Sequence, residues 1–209
     1  MLETGFIPAA DRDSRWLMVV LHGLGDSMAG YQWLPTALGL PRINYLLVNA
    51  PDPYYGGYSW FDFPGDALPG IRRSRQMLFQ LLDAQRAGGF PTNQTLLFGF
   101  SQGSLMTVET GLRYPNRFAG LIGVSGFIVG VDQLLAELSP EAKNQRFLLT
   151  HGTEDPLLPF DQVKKQVLRL QQAGLSIEWH EFHKEHTIAG ETELRVIRRF
   201  VSDCFSGGV

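Results

Sequence analysis

The sequence has one cysteine, Cys204, no long apolar run and no excess of positive charge. A single cysteine cannot form an intramolecular disulfide, which excludes the disulfide-stabilised secreted domains and favours a reducing compartment. There are 18 Lys and Arg residues against 21 Asp and Glu residues, so the net charge is −3. No positive field therefore attracts nucleic acid or anionic lipid, and we expect no nucleic-acid partner.

The sequence also lacks a recognisable targeting or membrane-spanning segment. Residues 1–15 carry Glu3, Asp11 and Asp13 where a signal peptide has a cationic stretch followed by an apolar one. The most apolar stretch, residues 118–131, contains four glycines and is shorter than the roughly 20 residues of a spanning helix. We expect a cytoplasmic protein with no stable membrane anchor.

The 209 residues are enough for one domain with a sizeable core, and we expect a single domain over residues 1–209. Short β-branched and leucine-rich runs alternate with segments of helical periodicity, which is the pattern of βα repeats. The predicted strands cover residues 15–21, 44–49, 94–99, 118–124, 146–150 and 175–182. Continuous apolar strands of this kind predict a mostly parallel sheet with helices on both faces.

The longest segment without periodicity covers residues 51–70. A loop of that length in a compact domain is usually functional, so this segment is a candidate pocket wall. It contains a cluster of six aromatic residues, Tyr54, Tyr55, Tyr58, Trp60, Phe61 and Phe63. We predict that the first five line a substrate pocket; the alternative is that they pack the loop onto the core.

A short glycine motif joins the predicted strand at residues 94–98 to a helix that includes Leu105. Residues 99–103 read G-F-S-Q-G and match G-x-S-x-G, in which a serine on a sharp strand-to-helix turn exposes its hydroxyl. The motif alone is weak, and the alternative is a glycine-rich turn with an idle serine. The strand before it and the helix after it favour Ser101 as a nucleophile.

A serine nucleophile requires a base and a carboxylate that orients the base. In α/β-hydrolases the acid and then the histidine follow the serine along the chain, and Asp155 and His186 give this order. Asp155 comes just after the strand at residues 146–150, at the edge where parallel sheets build their sites. Glu154 and Asp132 are the alternatives, as is a role in helix capping.

The choice of base is less constrained, because His180, His183 and His186 are spaced three residues apart. His180 lies on the polar face of a predicted strand, whereas His183 and His186 lie in the loop that follows. Either loop histidine could reach Ser101. No carboxylate or cysteine set nearby completes a tetrahedral shell, so we expect no metal.

Several motifs in a fixed order extend this interpretation over nearly the whole chain. They are LHGLGDS at 21–27, WFD at 60–62, GFSQG at 99–103, YP at 114–115, HGTED at 151–155 and HTI at 186–188. Together they resemble the phospholipase/carboxylesterase family of α/β-hydrolases, which includes the acyl-protein thioesterases. The resemblance implies an α/β-hydrolase fold.

The resemblance also implies a role for particular residues. Ser101 is the implied nucleophile, Asp155 the acid, and His186 rather than His183 the base. The backbone N–H groups of Leu24 and Gln102 are the implied oxyanion hole. This sequence departs from the family in two places. Ser104 replaces a glycine that often follows the turn at residues 99–103, and residues 52–58 are more compact and aromatic than the family's acyl-pocket segment.

The sequence thus predicts a serine esterase that cleaves carboxylic esters of short to medium acyl chains through an acyl-enzyme on Ser101. It needs no cofactor, and its expected partner is a small-molecule ester or thioester. An acyl-protein thioesterase or lysophospholipase acting on acylated proteins or lipids is the alternative, followed by a catalytically idle binding protein. Related esterases often pair through an exposed face, so a homodimer is also open to the chain.

Overall fold

The computed structural model describes residues 1–206, which form nine strands and six α-helices. The strands are β1 Thr4–Ile7, β2 Trp16–Leu21, β3 Ile43–Val48, β4 Asp52–Tyr54, β5 Gly57–Ser59, β6 Thr95–Phe100, β7 Gly120–Val124, β8 Arg146–Gly152 and β9 Ser176–Phe182. The helices are α1 Leu34–Leu38, α2 Ala67–Ala87, α3 Gln102–Arg113, α4 Val131–Ala136, α5 Phe160–Gln172 and α6 Gly190–Ser206.

Seven strands form one sheet in the order β1-β3-β2-β6-β7-β8-β9. Strand β1 pairs antiparallel with β3, and every other pairing in this sheet is parallel. The six predicted strands correspond to β2, β3 and β6 to β9. The prediction of a mostly parallel sheet is therefore confirmed.

Helices cover both faces of the sheet, and alternate residues of β2 show how. Leu17 and Val19 point into a core formed with α2, α3, α4 and α5, whereas Met18 and Val20 point into a core formed with α1 and α6. Because each face of the strand meets a helix layer, all six residues of β2 are buried. No helix within residues 1–206 is long and apolar enough to cross a membrane.

Two elements differ from the prediction. Strand β1 was missed because its four residues alternate between exposed and half-buried positions at the sheet edge and form no apolar run. The segment predicted as a loop over 51–70 contains the β4-β5 hairpin, and α2 already begins at Ala67, where the Asp66 carboxylate accepts the Leu68 N–H at 3.3 Å. Gly70 therefore belongs to a helix and not to a loop.

The carboxyl ends of the parallel strands meet at one edge of the sheet. Ser101 follows β6, Asp155 follows β8 and His186 follows β9, so three distant parts of the sequence converge there. This edge is where open α/β sheets hold their ligand sites.

Candidate active site

Ser101 occupies the sharp turn between β6 and α3. Its φ of 54° and ψ of −116° lie in a region that a non-glycine residue rarely adopts. The two glycines of the motif make the turn possible: a Cβ at Gly99 would lie 2.1 Å from the Gly103 carbonyl oxygen, and one at Gly103 would lie 2.1 Å from the Leu21 carbonyl oxygen. The strained turn holds the Ser101 hydroxyl at the rim of the sheet.

Ser101, His186 and Asp155 form one continuous line of hydrogen bonds. The Ser101 hydroxyl donates to His186 Nε2 at 2.9 Å, and His186 Nδ1–H donates to Asp155 Oδ2 at 2.7 Å. This arrangement can pass the serine proton to an imidazole whose tautomer and orientation are held by a buried carboxylate.

The Asp155 carboxylate is fully engaged. Its second oxygen, Oδ1, accepts the backbone N–H groups of Leu157 at 3.0 Å and Leu158 at 2.9 Å. Burial opposes ionisation of this group, but the hydrogen bonds from His186 and from the two amides outweigh it and hold the pKa of Asp155 below its ordinary value. The carboxylate is therefore ionised at neutral pH.

The alternative acids and bases lie apart from this line. Asp132 is in the first turn of α4 and pairs with Arg169. Glu154 and His183 are exposed and face each other at 3.4 Å, and His180 contacts a glutamate of its own strand at 2.7 Å. In the part of the chain that the structure describes, no group of three His, Cys, Asp or Glu side chains is arranged to hold a metal ion.

The loop after β2 brings a second set of donors to Ser101. A Cβ on Gly23 would lie 3.1 Å from Phe100 Cδ1 and 3.3 Å from Ser101 Cβ, so any larger residue would need a small shift of these neighbours for the loop to approach this closely. Leu24 and Gln102 line the same cavity as Ser101, and neither of their amides donates a hydrogen bond to another residue of 1–206. Both are therefore free to donate to a ligand.

His22 shapes this loop, a role that the sequence analysis missed. Its Nδ1–H donates to the Gly23 carbonyl at 2.6 Å, and its Nε2 accepts the Ala50 N–H at 3.0 Å. Burial lowers the pKa of His22, which keeps the ring neutral and suits this pairing of one donor with one acceptor. The signal in the sequence was a polar residue directly after a fully apolar strand.

The backbone N–H of Gln102 is free to donate to a ligand, whereas the Gln102 side chain has a structural role. Its Oε1 accepts the Trp60 N–H at 2.9 Å, and its Nε2 donates to the Phe61 carbonyl at 3.0 Å. The Trp60 indole N–H in turn donates to the His22 carbonyl at 2.9 Å. These buried hydrogen bonds connect the turn between β6 and α3, the loop after β2 and the segment after β5.

A cavity of about 420 Å³ opens beside Ser101. Apart from Asp26, Ser101, Gln102 and His186, most of its wall is apolar. The apolar side chains are Leu24, Phe63, Phe100, Phe127, Leu157 and Leu158. Phe63 and Phe127 face each other with ring centroids 5.6 Å apart.

The five aromatic residues predicted as pocket lining do not line this cavity. Trp60 and Phe61 are fully buried in the core, and the Gln102 side chain forms hydrogen bonds with their backbone. Tyr54 and Tyr55 lie on the β4-β5 hairpin, where the Tyr55 side chain is 95% exposed, and Tyr58 packs near the His22 ring. The predicted pocket wall is therefore wrong for these five residues.

From the aromatic cluster, the structure places only Phe63 in the wall of the cavity. The remaining apolar wall comes from turns that follow the strands. Phe127 follows β7, and Leu157 and Leu158 follow Asp155. The signal in the sequence was a pair of leucines in the loop that follows the predicted acid.

The loop that carries His186 is held at its base by a buried ion pair. Lys184 Nζ donates to the two carboxylate oxygens of Glu193 at 2.6 and 2.8 Å, and Glu193 Oε2 also accepts the Ala189 N–H at 2.6 Å. Both side chains are almost completely excluded from solvent. The pair therefore connects the chain before His186 to the chain after it.

Comparison with known proteins shows the family of the chain. The model of the family described as Phospholipase/Carboxylesterase matches residues 2–205. The chain is similar to acyl-protein thioesterase 1 of Schizosaccharomyces pombe, with 37% identity over 155 residues that cover 68% of this chain and 69% of that protein. It is also similar to a probable carboxylesterase, SOBER1-like, of Arabidopsis thaliana, with 28% identity over 90% of this chain and 79% of that protein.

Solved structures give the same result. The crystal structure of esterase PE8 superimposes with a TM-score of 0.85 at 29% identity, covering 97% of this chain and 99% of that one. Arabidopsis thaliana SOBER1 superimposes with a TM-score of 0.84 at 24% identity over 91% of this chain and 99% of that one, a likeness of fold.

Proposed function

The chain belongs to the phospholipase/carboxylesterase family and is an ester or thioester hydrolase, and on that basis we propose that it is a serine carboxylesterase working through an acyl-enzyme on Ser101. The observation that carries the proposal is the line of hydrogen bonds from Ser101 through His186 to Asp155. A serine hydroxyl is a poor nucleophile at neutral pH unless such a base removes its proton.

In the first half of the reaction, Ser101 Oγ attacks the acyl carbon while His186 Nε2 accepts the hydroxyl proton. Asp155 stabilises the imidazolium that results. The negative charge that develops on the carbonyl oxygen is held by the Leu24 and Gln102 amides. Loss of one such donor typically costs about 10² to 10³ in rate.

The second half releases the products. The bond between the acyl carbon and the leaving oxygen or sulfur breaks, and that atom takes the proton from His186. Water then attacks the acyl-enzyme and gives a proton to His186, which returns it to Ser101 as the acid leaves. These steps are carried by side chains and amides of this chain.

The proposed acyl site is the apolar cavity beside Ser101. Its volume of about 420 Å³ is toward the lower end of the roughly 300–1,000 Å³ range of ligand pockets, which supports short to medium acyl chains. In a series of p-nitrophenyl esters, we expect kcat/KM to peak at acyl chains of about eight carbons or fewer. Faster turnover of palmitoyl than of butyryl esters would contradict this assignment.

A fluorophosphonate probe tests the nucleophile directly. We expect mass spectrometry to find the label on Ser101, and the Ser101→Ala variant to lose both labelling and hydrolysis of p-nitrophenyl butyrate. The matched control is Ser202→Ala, which changes an exposed serine on α6 and should leave both unchanged. Labelling elsewhere, or turnover in Ser101→Ala, refutes Ser101 as the nucleophile. A wild type that shows neither labelling nor hydrolysis refutes the proposal and favours an idle hydrolase-fold binding protein.

Acyl-protein thioesterase activity is the second candidate function. It is favoured by the names of the relatives, several of which are called acyl-protein thioesterase 1. Matched oxygen esters and thioesters with the same acyl chain distinguish the two, since a thioesterase should show the higher kcat/KM on sulfur. The single domain, the cytoplasmic location and the homodimer stay predictions.

A further inference from the structure

A second cavity, of about 430 Å³, also borders His186. It shares Asp26, Phe100 and His186 with the cavity beside Ser101, so the two meet at the imidazole. The Phe100 and His186 rings, with centroids 5.0 Å apart, form part of the partition.

The reaction geometry distinguishes the two cavities. In the tetrahedral intermediate the carbonyl oxygen faces the amides of Leu24 and Gln102, and the leaving atom must lie near His186 Nε2 to receive its proton. The second cavity borders His186 but not Ser101, Leu24 or Gln102. It therefore lies beside the base and away from the oxyanion donors, where the alcohol or thiol portion of the substrate can extend.

The lining of the second cavity combines apolar and aromatic surface with one fixed charge. Tyr31, Trp33, Ile188 and Leu194 supply the apolar and aromatic surface, and the Trp33 side chain is 41% exposed. Tyr31 and Trp33 lie with their rings stacked at an interplanar angle of 29°. Aromatic rings beside a carboxylate attract organic cations through the ring quadrupole and the charge together.

The fixed charge belongs to Asp26. Among the residues that line either cavity, Asp26 is the only Asp, Glu, Lys or Arg. Its carboxylate is anchored: Oδ1 accepts the Ser27 N–H at 2.7 Å, and a Cβ on Gly30 would lie 2.2 Å from the same oxygen. A carboxylate held in this way attracts a cation and repels an anion at the leaving-group side.

We propose that this second cavity binds the leaving group and that Asp26 selects leaving groups with a positive charge over anionic ones. The inference rests on the proposed function, because it assumes the acyl transfer described above. The shared chemistry is a cationic alcohol or thiol. It can come from a small quaternary ammonium compound or from basic residues beside an acylated cysteine of a peptide.

The test uses three thioesters with the same butyryl chain. The thiols are thiocholine, which is cationic, 2-mercaptoethanol, which is neutral, and 2-mercaptoethanesulfonate, which is anionic. For each substrate we compare kcat/KM of the wild type with that of Asp26→Asn, so the intrinsic reactivity of each thiol cancels. Asn keeps an oxygen that can accept the Ser27 N–H.

The expected result is opposite in sign for the two charged substrates. Asp26→Asn should lower kcat/KM for the cationic thioester by about three- to tenfold, raise it for the anionic one by a similar factor, and leave the neutral one within about twofold. The matched control is Asp13→Asn, which removes an exposed carboxylate before β2 that pairs with no other described side chain. It should leave all three values unchanged.

Equal changes for the three substrates, or a loss largest for the anion, would overturn the proposal. If Asp26→Asn does not fold, the salt dependence of the wild type decides: between about 20 and 500 mM NaCl, the ratio of cationic to anionic kcat/KM should fall. A ratio independent of salt overturns it equally.

The failure of the proposed function looks different from the failure of this inference. If Ser101 is not labelled and no thioester is cleaved, the function fails; if all three are cleaved without charge dependence, only the selection by Asp26 fails. Two S-butyryl-cysteine peptides, one flanked by lysines and one by glutamates, separate the sources. A preference for the lysine peptide that exceeds the thiocholine preference indicates a basic peptide, and the reverse indicates a small cation.

Discussion

The buried ion pair between Lys184 and Glu193 allows a quantitative prediction about the loop that carries the proposed base. The Lys184 side chain is 3% exposed and that of Glu193 is 0% exposed. Burial lowers the pKa of Lys184, and the attraction of the neighbouring Glu193 carboxylate opposes this. Removal of one partner therefore leaves a buried charge without compensation.

We expect each single variant, Lys184→Met and Glu193→Leu, to lower the free energy of unfolding by about 3 to 5 kcal/mol. For a chain of this length, that corresponds to a fall in Tm of about 6 to 20 °C. The double variant should be more stable than either single variant, because it removes both charges together and replaces them with apolar groups of similar size.

The measurement is urea unfolding followed by tryptophan fluorescence, with Tm from calorimetry as a second readout. Lys165→Met is the matched control, since Lys165 is exposed on α5; it should stay within about 0.5 kcal/mol of the wild type. Losses that add in the double variant, or single losses below about 1 kcal/mol, would refute the reasoning that the pair is coupled and buried.

The same variants report on the active site. The pair brackets the segment that contains His186, and the Lys184 carbonyl accepts the Glu154 N–H at 3.2 Å. Under conditions where the double variant is folded, we therefore expect a lower kcat with little change in KM, because the imidazole is held less tightly against Ser101. An unchanged kcat would show that the pair stabilises the fold without positioning the base.

Three further predictions concern other parts of the chain. Burial lowers the pKa values of His22 and His151, so these two residues bind protons near pH 6.5 in the unfolded chain but not in the folded chain. The free energy of unfolding, measured with urea, should therefore fall from pH 7 to pH 5 by up to about 1.4 kcal/mol per pH unit for each histidine, and a flat profile contradicts this. A Cβ on Gly126 would lie 2.1 Å from Ser104 Oγ, so Gly126→Ala should lower the free energy of unfolding by about 1 to 3 kcal/mol. The double variant Gly126→Ala with Ser104→Gly should recover most of this loss, and no recovery in calorimetry would rule out this contact as the cause. Asp155→Asn should lower kcat on p-nitrophenyl butyrate by about 10⁴ because the imidazole loses the partner that fixes its tautomer, and a loss below tenfold would contradict the role proposed for this carboxylate.

Much of the fold follows from patterns that a single sequence contains. The strands β2 and β3 are recognisable because they are almost continuously apolar, and the helices α5 and α6 because their apolar residues recur with the helical period. The strand β1 is only four residues long and contains no apolar run. Its place in the sheet depends on antiparallel pairing with β3, which is a tertiary contact.

The candidate site was predictable where chemistry requires a particular residue type in a particular order. Ser101, Asp155 and His186 satisfy that requirement, and the structure brings their side chains into contact. The pocket wall was not predictable, because an aromatic residue reads the same whether it lines a cavity or fills the core. Trp60 is in the core and its backbone N–H donates to the Gln102 side chain, and no spacing rule connects those two residues.

The backbone at Ser101 has a consequence for the whole molecule. A residue held at φ 54° stores backbone strain that a glycine would relieve, so the fold loses stability at the position of the proposed nucleophile. A chain with Ser101→Gly would gain thermal endurance and lose its nucleophile. Selection for a sturdier protein and selection for a working one therefore act in opposite directions on this residue.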